Sequence, residues 1–229
     1  MLRIIITIIL SGLATAAFSK LIDRLYSRET TDLSFPEQIK KRALLRRPLL
    51  FAGCAAAFFY FDPAQPIAGL LNLCFYLSLL IISVTDWEQY VIFDSVVLFF
   101  AAAGLLHSLL AGCLPEYTAS LAGLHAVPPP LPLNALLTGA AAGVIMLLLA
   151  VLMKGSIFGG DIKLLAAVGI WLGSRYTPAA AALGFMLGGA AALFLLIATR
   201  KKRTDYFAYG PYFAIAAAII RATGITLQH

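Results

Sequence analysis

Charge is scarce in this sequence. Only 12% of its 229 residues are Asp, Glu, Lys or Arg, about half the share of a soluble domain. Hydrophobic residues make up 61%, and the mean hydropathy is +0.91. So little polar surface excludes an ordinary soluble fold and leaves lipid as the solvent. Cysteine is scarce too. Cys54, Cys74 and Cys113 each lie in an apolar run and form no CxxC pair, which excludes a disulfide framework and a zinc knuckle. They read as small buried hydrophobes. His107, His125 and His229 share no spacing, so no metal site is predicted, and no glycine-rich loop suggests a bound cofactor. The net charge of +6 does not point to nucleic acid. The basic residues fall in clumps between apolar runs, as in the cytoplasmic loops of membrane proteins.

What the chain has in quantity is long apolar runs. A span needs about 20 apolar residues, or about 17 at the short end. Candidates are 2–20, 48–61, 66–85, 95–113, 133–153, 162–173, 177–199 and 206–225, so the expected fold is an all-α polytopic bundle of about eight transmembrane helices. The first run lacks a small-residue cleavage site and reads as a retained span, not a signal peptide. Alternate loops collect Lys20, Arg24, Arg28, Lys40, Lys41, Arg42, Arg46, Arg47, Lys154, Lys163 and the run Arg200 to Arg203. That places 14 of the 17 basic residues on one side, with Arg3, Arg175 and Arg221 opposite. The bias makes the basic side cytoplasmic and both termini external.

Residues 1–229 read as one membrane-embedded domain with a short basic cytoplasmic segment at 20–47. Within it, Ser34 and Glu37 have capping-box spacing and Pro36 suits a first helical turn. A basic helix on anionic membrane lipids fits this segment, as does a solvated positive loop. Gly139 with Gly143, and Gly184 with Gly188, are GxxxG pairs that speak for close helix packing.

Three carboxylates stand out among the 11 acidic residues. Asp86 follows the third span, Asp94 precedes the fourth, and Asp161 opens the sixth, all at the cytoplasmic side. A carboxylate at bilayer depth costs about 2.5–3.5 kcal/mol on insertion scales, so it asks for a use or a partner. Two that meet at one membrane edge can share a proton and activate water, as aspartic proteases do. Gly159 and Gly160, before Asp161, would let a peptide backbone approach through an unwound helix entry. By themselves they also fit a flexible turn before an aspartate favoured by the helix dipole. Lys163 suits a carboxylate or a lipid headgroup. Glu88, between Asp86 and Asp94, reads as a solvated loop charge, and His107 as a packing residue.

At these positions the chain resembles the type IV prepilin peptidases, a GxGD class of intramembrane aspartic peptidases. Thr85-Asp86 with Ile92-Phe93-Asp94 resembles the first aspartate motif of that family. Ile157 to Leu165, containing Gly159-Gly160-Asp161-Ile162-Lys163, and Gly169 to Gly173 resemble the second. Phe207 to Ala214, with Gly210-Pro211-Tyr212, is similar to a late Pro-Phe-Gly-Pro-Phe segment. Phe158 stands where the first Gly of GxGD is usual, and Phe93 replaces a Pro. The resemblance implies Asp86 and Asp161 as the catalytic pair, with Asp94, Gly159, Gly160 and Lys163 in support, and no cofactor. It implies cleavage of the leader from prepilin or pseudopilin precursors at the cytoplasmic face of a bacterial inner membrane. The cysteine-rich insert that many members carry between spans one and two is absent here, which leaves N-methyltransferase activity unassigned. Two other readings stay open: a proton- or cation-coupled transporter subunit, and an inactive pilus or secretion assembly factor on the same scaffold.

Overall fold

The computed structural model describes residues 2–29, 36–59, 61, 63–114, 117, 127–152, 158–198 and 207–226. Among the described residues every regular element is a helix. They are α1 (Leu2–Glu29), α2 (Pro36–Phe59), α3 (Pro66–Gln89), α4 (Asp94–Cys113), α5 (Pro132–Leu152), α6 (Gly159–Ala198) and α7 (Gly210–Thr223). Five of them, α1, α3, α4, α5 and α6, are long and apolar enough to cross a membrane. Seven helices are thus described where eight spans were expected.

The difference lies in how the chain starts and stops its helices. The basic segment and the second expected span run together as α2, with Pro48 inside the helix. Ser34 of the expected capping box lies outside the described residues. The sixth and seventh expected spans fall in one 40-residue element, α6, broken at Gly173 (φ 68°, ψ 179°). This break is a reversal. A straight helix from Asp161 to Gly188 would be roughly 40 Å long. Yet Gly188 lies against Tyr209, whose neighbour Gly210 bonds Asp86, and Asp86 and Asp161 share one cavity. Residues 174–198 therefore return alongside residues 159–172. Only glycine readily adopts that backbone conformation, and a Cβ there would also lie 2.6 Å from Pro130 Cβ. Asn134 of α5 completes the turn: its Oδ1 accepts the Ser174 N–H at 3.0 Å, and its Nδ2 donates to Ser174 Oγ at 3.1 Å. An end of the second half is thereby capped by another helix.

Packing follows small residues. Gly139 faces Ile170 and Gly143 faces Ala166 between α5 and α6, while Gly184 faces Phe213 and Gly188 faces Tyr209 between α6 and α7. Both expected GxxxG pairs sit at helix contacts, where the missing Cβ lets backbones approach. The core centres on Trp171. It lies edge-on to Phe75, stacks on Phe100, fits over Gly104 and donates its indole N–H to Phe100 O at 2.7 Å. Large side chains such as Ile4, Ile8, Leu98, Phe99, Leu148 and Ile197 point outward, as helices in lipid require. Of the three cysteines only Cys54 is buried; Cys74 is half-buried and Cys113 exposed.

Beside Trp171 lies a buried arginine. Arg221, placed by the sequence at the outer end of the last span, is in the last turn of α7 and only 1% exposed. Its Nε donates to Asn72 Oδ1 at 2.9 Å and its Nη2 to His107 Nε2 at 3.2 Å, and its guanidinium lies over Phe75 and Trp171. Arginine has only donors, so His107 Nε2 must accept, which leaves its Nδ1–H to meet the Tyr117 hydroxyl at 2.5 Å. Burial pushes that hydroxyl up to about 12, with the Arg221 charge pulling the other way, so it stays protonated. His107 is thus an acceptor for a buried cation as well as a packing residue.

Two outcomes are expected from thermal unfolding in detergent. Gly173→Ala should lose about 1–3 kcal/mol, the cost of forcing a side chain into that backbone region. Arg221→Ala should cost about 3 kcal/mol or more, because it empties a filled core site.

Candidate active site

The last turn of α3 and the first turn of α6 end at the same end of the bundle, and each brings one aspartate there. Asp86 lies inside α3, not just beyond it, and is 6% exposed; Asp161 is in the first turn of α6 and 4% exposed. Both border a cavity of about 220 Å³ whose other walls are Tyr90, Val91, Ile92, Phe158, Gly160 and Phe207. Two buried carboxylates thus share one protein-lined pocket, where their charges are weakly screened.

Each carboxylate is held by a main-chain donor. Asp86 Oδ2 accepts the N–H of Gly210, the first residue of α7, at 2.9 Å. Asp161 Oδ2 accepts the N–H of Phe158 at 3.3 Å, while Phe158 O accepts the N–H of Asp161. The second pair is half of a capping box, which explains the placing of an aspartate in a first helical turn. Phe158 therefore makes with its backbone a contact that does not depend on its side chain.

The loop between α3 and α4 forms one wall. It leaves α3 through Tyr90 in a left-handed conformation (φ 58°), whose N–H bonds Asp86 O. Ile92 packs on Gly160, where a Cβ would come within 2.9 Å of Ile92 Cβ. Gly160 is therefore required for close contact with the wall, whereas Gly159 faces open space. Both glycines are helical, so the expected unwound entry to this helix is corrected to a first turn. Phe93, in place of a proline, is buried and packs on Tyr26 at 5.4 Å between ring centres.

Asp94 and Lys163 stand apart from the cavity lining. Lys163 Nζ donates to both Asp94 oxygens at 2.7 and 2.8 Å, joining the starts of α4 and α6. The two side chains are 69% and 54% exposed, so the pair is a solvated tie between the elements carrying the pocket.

Glu88 is the main correction. It is fully buried, not a solvated loop charge. Arg46 of α2 grips it through Nε at 2.6 Å and Nη2 at 2.5 Å, the Tyr26 hydroxyl adds a bond at 3.1 Å, and Arg46 Nη1 reaches Asp23 at 2.6 Å. This bidentate pair ties α1 and α2 to α3 two residues from Asp86. No local pattern marks it, because the partners are 42 residues apart.

Comparisons with known proteins identify the family. Residues 73–198 match the model of the type IV leader peptidase family. The prepilin leader peptidase/N-methyltransferase of Pseudomonas putida is 30% identical over 191 residues, which cover 79% of this chain and 59% of that protein. The chain therefore spans about three fifths of that relative's length. No solved structure matches.

Two substitutions should separate the ion pairs. Glu88→Ala leaves Arg46 buried without its bidentate partner and should cost about 3–5 kcal/mol of stability. Asp94→Asn breaks an exposed pair and should cost under about 1 kcal/mol. Detergent melting curves of the two variants would compare them directly.

Proposed function

This chain belongs to the type IV leader peptidase family, and from that premise we propose that it is an aspartic endopeptidase removing the leader from type IV prepilin or pseudopilin precursors. The observation that carries this reading is the opening of two buried carboxylates, Asp86 and Asp161, into one cavity. Asp94, Gly160 and Lys163 support it by joining the surrounding elements, and Gly159 leaves open space for a peptide backbone.

The chemistry follows from two carboxyl groups sharing one proton. The ionised member takes a proton from the attacking water; the protonated member hydrogen-bonds the scissile carbonyl oxygen. Water oxygen bonds to the carbonyl carbon, the carbon–nitrogen bond then breaks, and a proton passes to the leaving amine. The titrations belong to the pair, so the rate should fall at both pH extremes, when the pair gains its second proton or loses its last.

The site is proposed to face the cytoplasm. Lys163 and Arg46 lie at the carboxylate end, bonded to Asp94 and Glu88, whereas Arg3 bonds Phe59 O and Arg221 bonds Asn72 at the other. This distribution supports the inner face of a bacterial inner membrane. The proposed activity is leader cleavage; N-methyltransferase activity stays unassigned, and the segment 20–47 holds no cysteine.

Asp86→Asn and Asp161→Asn should each abolish leader removal from a co-expressed type IV prepilin, read as a gel shift, while both variants still accumulate in membranes. Processing by either variant at wild-type level would refute the assignment.

A further inference from the structure

We propose that Gly210 is a positioning residue for the carboxylate pair: its main-chain N–H fixes Asp86, and its lack of a side chain is what allows that contact. The inference rests on the reading of Asp86 and Asp161 as the reacting groups.

Gly210 opens α7 and is buried, and its N–H points at Asp86 Oδ2 from 2.9 Å. A Cβ on this residue would lie 2.7 Å from that oxygen, 3.1 Å from Asp86 Cγ and 3.2 Å from Asp86 Cβ. Those atoms belong to a short buried side chain that cannot swing into solvent. Room for α7 to reach the carboxylate therefore exists only with glycine.

The contact is mutual. A helix begins with N–H groups that have no partner in their own helix. In α7 the Gly210 N–H goes to Asp86, Pro211 has none, and those of Tyr212 and Phe213 go to Tyr209 O. Asp86 thus caps a helix 124 residues away, and that helix sets the rotation of the Asp86 carboxylate. Asp161 is arranged alike, its Oδ2 taken by the Phe158 N–H. With Oδ2 of each carboxylate committed to backbone, Oδ1 of each is the oxygen left for the shared proton and the water. The late Gly-Pro segment is thereby part of the carboxylate geometry.

The test uses the full chain in detergent with a type IV prepilin as substrate. Gly210→Ala should lower kcat at least about 100-fold, the scale of an ångström-sized displacement of a reacting group, with KM within about twofold. Gly184→Ala is the packing control. Its Cβ would meet Phe213 Cδ1 at 2.4 Å, in the contact about one helical turn along α7 from Gly210, and neither carboxylate is among the atoms it meets. Per folded molecule it should keep wild-type kcat. A Gly210→Ala enzyme within about threefold of wild type, or a Gly184→Ala enzyme equally impaired, would overturn the proposal. Folding gives a second readout. The loss of melting temperature on Gly210→Ala should be much smaller when Asp86 is also changed to Ala, and rescue of a non-folding Gly210→Ala chain by Asp86→Ala would support the contact. Equal losses in both backgrounds, or no rescue, would overturn it. A wild-type chain that cleaves nothing would instead sink the proposed function, and the melting comparison would still judge the contact.

Discussion

A carboxylate placed between helices has to find hydrogen-bond donors other than water, and one end of this bundle is organised around that demand. Asp86 finds the first N–H of α7, and Asp161 finds the N–H that precedes its own helix. Neither donor is a side chain, so neither can rotate away or carry a charge that would quench the pocket. The arrangement constrains three elements together, because α3, α6 and α7 must all terminate at one level. The reversal at Gly173 and the glycines of α6 facing α7 follow as conditions for that meeting. An unmet carboxylate here would cost far more than any of these conformational requirements.

The fold was legible where it depends on composition along the chain. Apolar runs located the start of α3 and both ends of α4 and α5 to within a residue, and the boundary between the sixth and seventh runs fell beside the break at Gly173. Asp86, Asp94 and Asp161 could be singled out because charge is rare in such a sequence. Pairings between distant elements were not legible. Glu88 shows no sign of Arg46, and Arg221 shows none of Asn72 or His107, since neither spacing nor periodicity encodes a contact across 42 or 149 residues. Helix ends were misread where apolarity stops before the hydrogen-bond ladder does. Asp86 and Glu88 are polar yet helical because α3 continues into its protein-lined end.

The two ends of the bundle solve the same problem with opposite charges. At one end buried acids are met by backbone donors and by Arg46. At the other, Arg221 has no carboxylate partner among the described residues. An amide oxygen, a histidine lone pair and the faces of two aromatic rings surround it instead. Aromatic faces attract a desolvated guanidinium by up to about 2 kcal/mol each. Asn72 and Phe75 belong to the helix of Asp86, and Trp171 to the helix of Asp161. Arg221 thus joins the far ends of both aspartate helices, about 20 Å along α3 from the cavity.

The one-residue reversal at Gly173 also bears on how the chain enters a bilayer. Residues 159–172 make roughly 21 Å of helix, less than the about 30 Å of hydrocarbon that a lone span must cross. Their far end is covered by Pro130 and Asn134, which are protein and not headgroup. Only the break at Gly173 and the exposed Ser174 and Arg175 separate them from the segment that follows. A half too short to cross alone gains its depth from the returning half packed beside it, so the two are read as one hairpin rather than as separate spans.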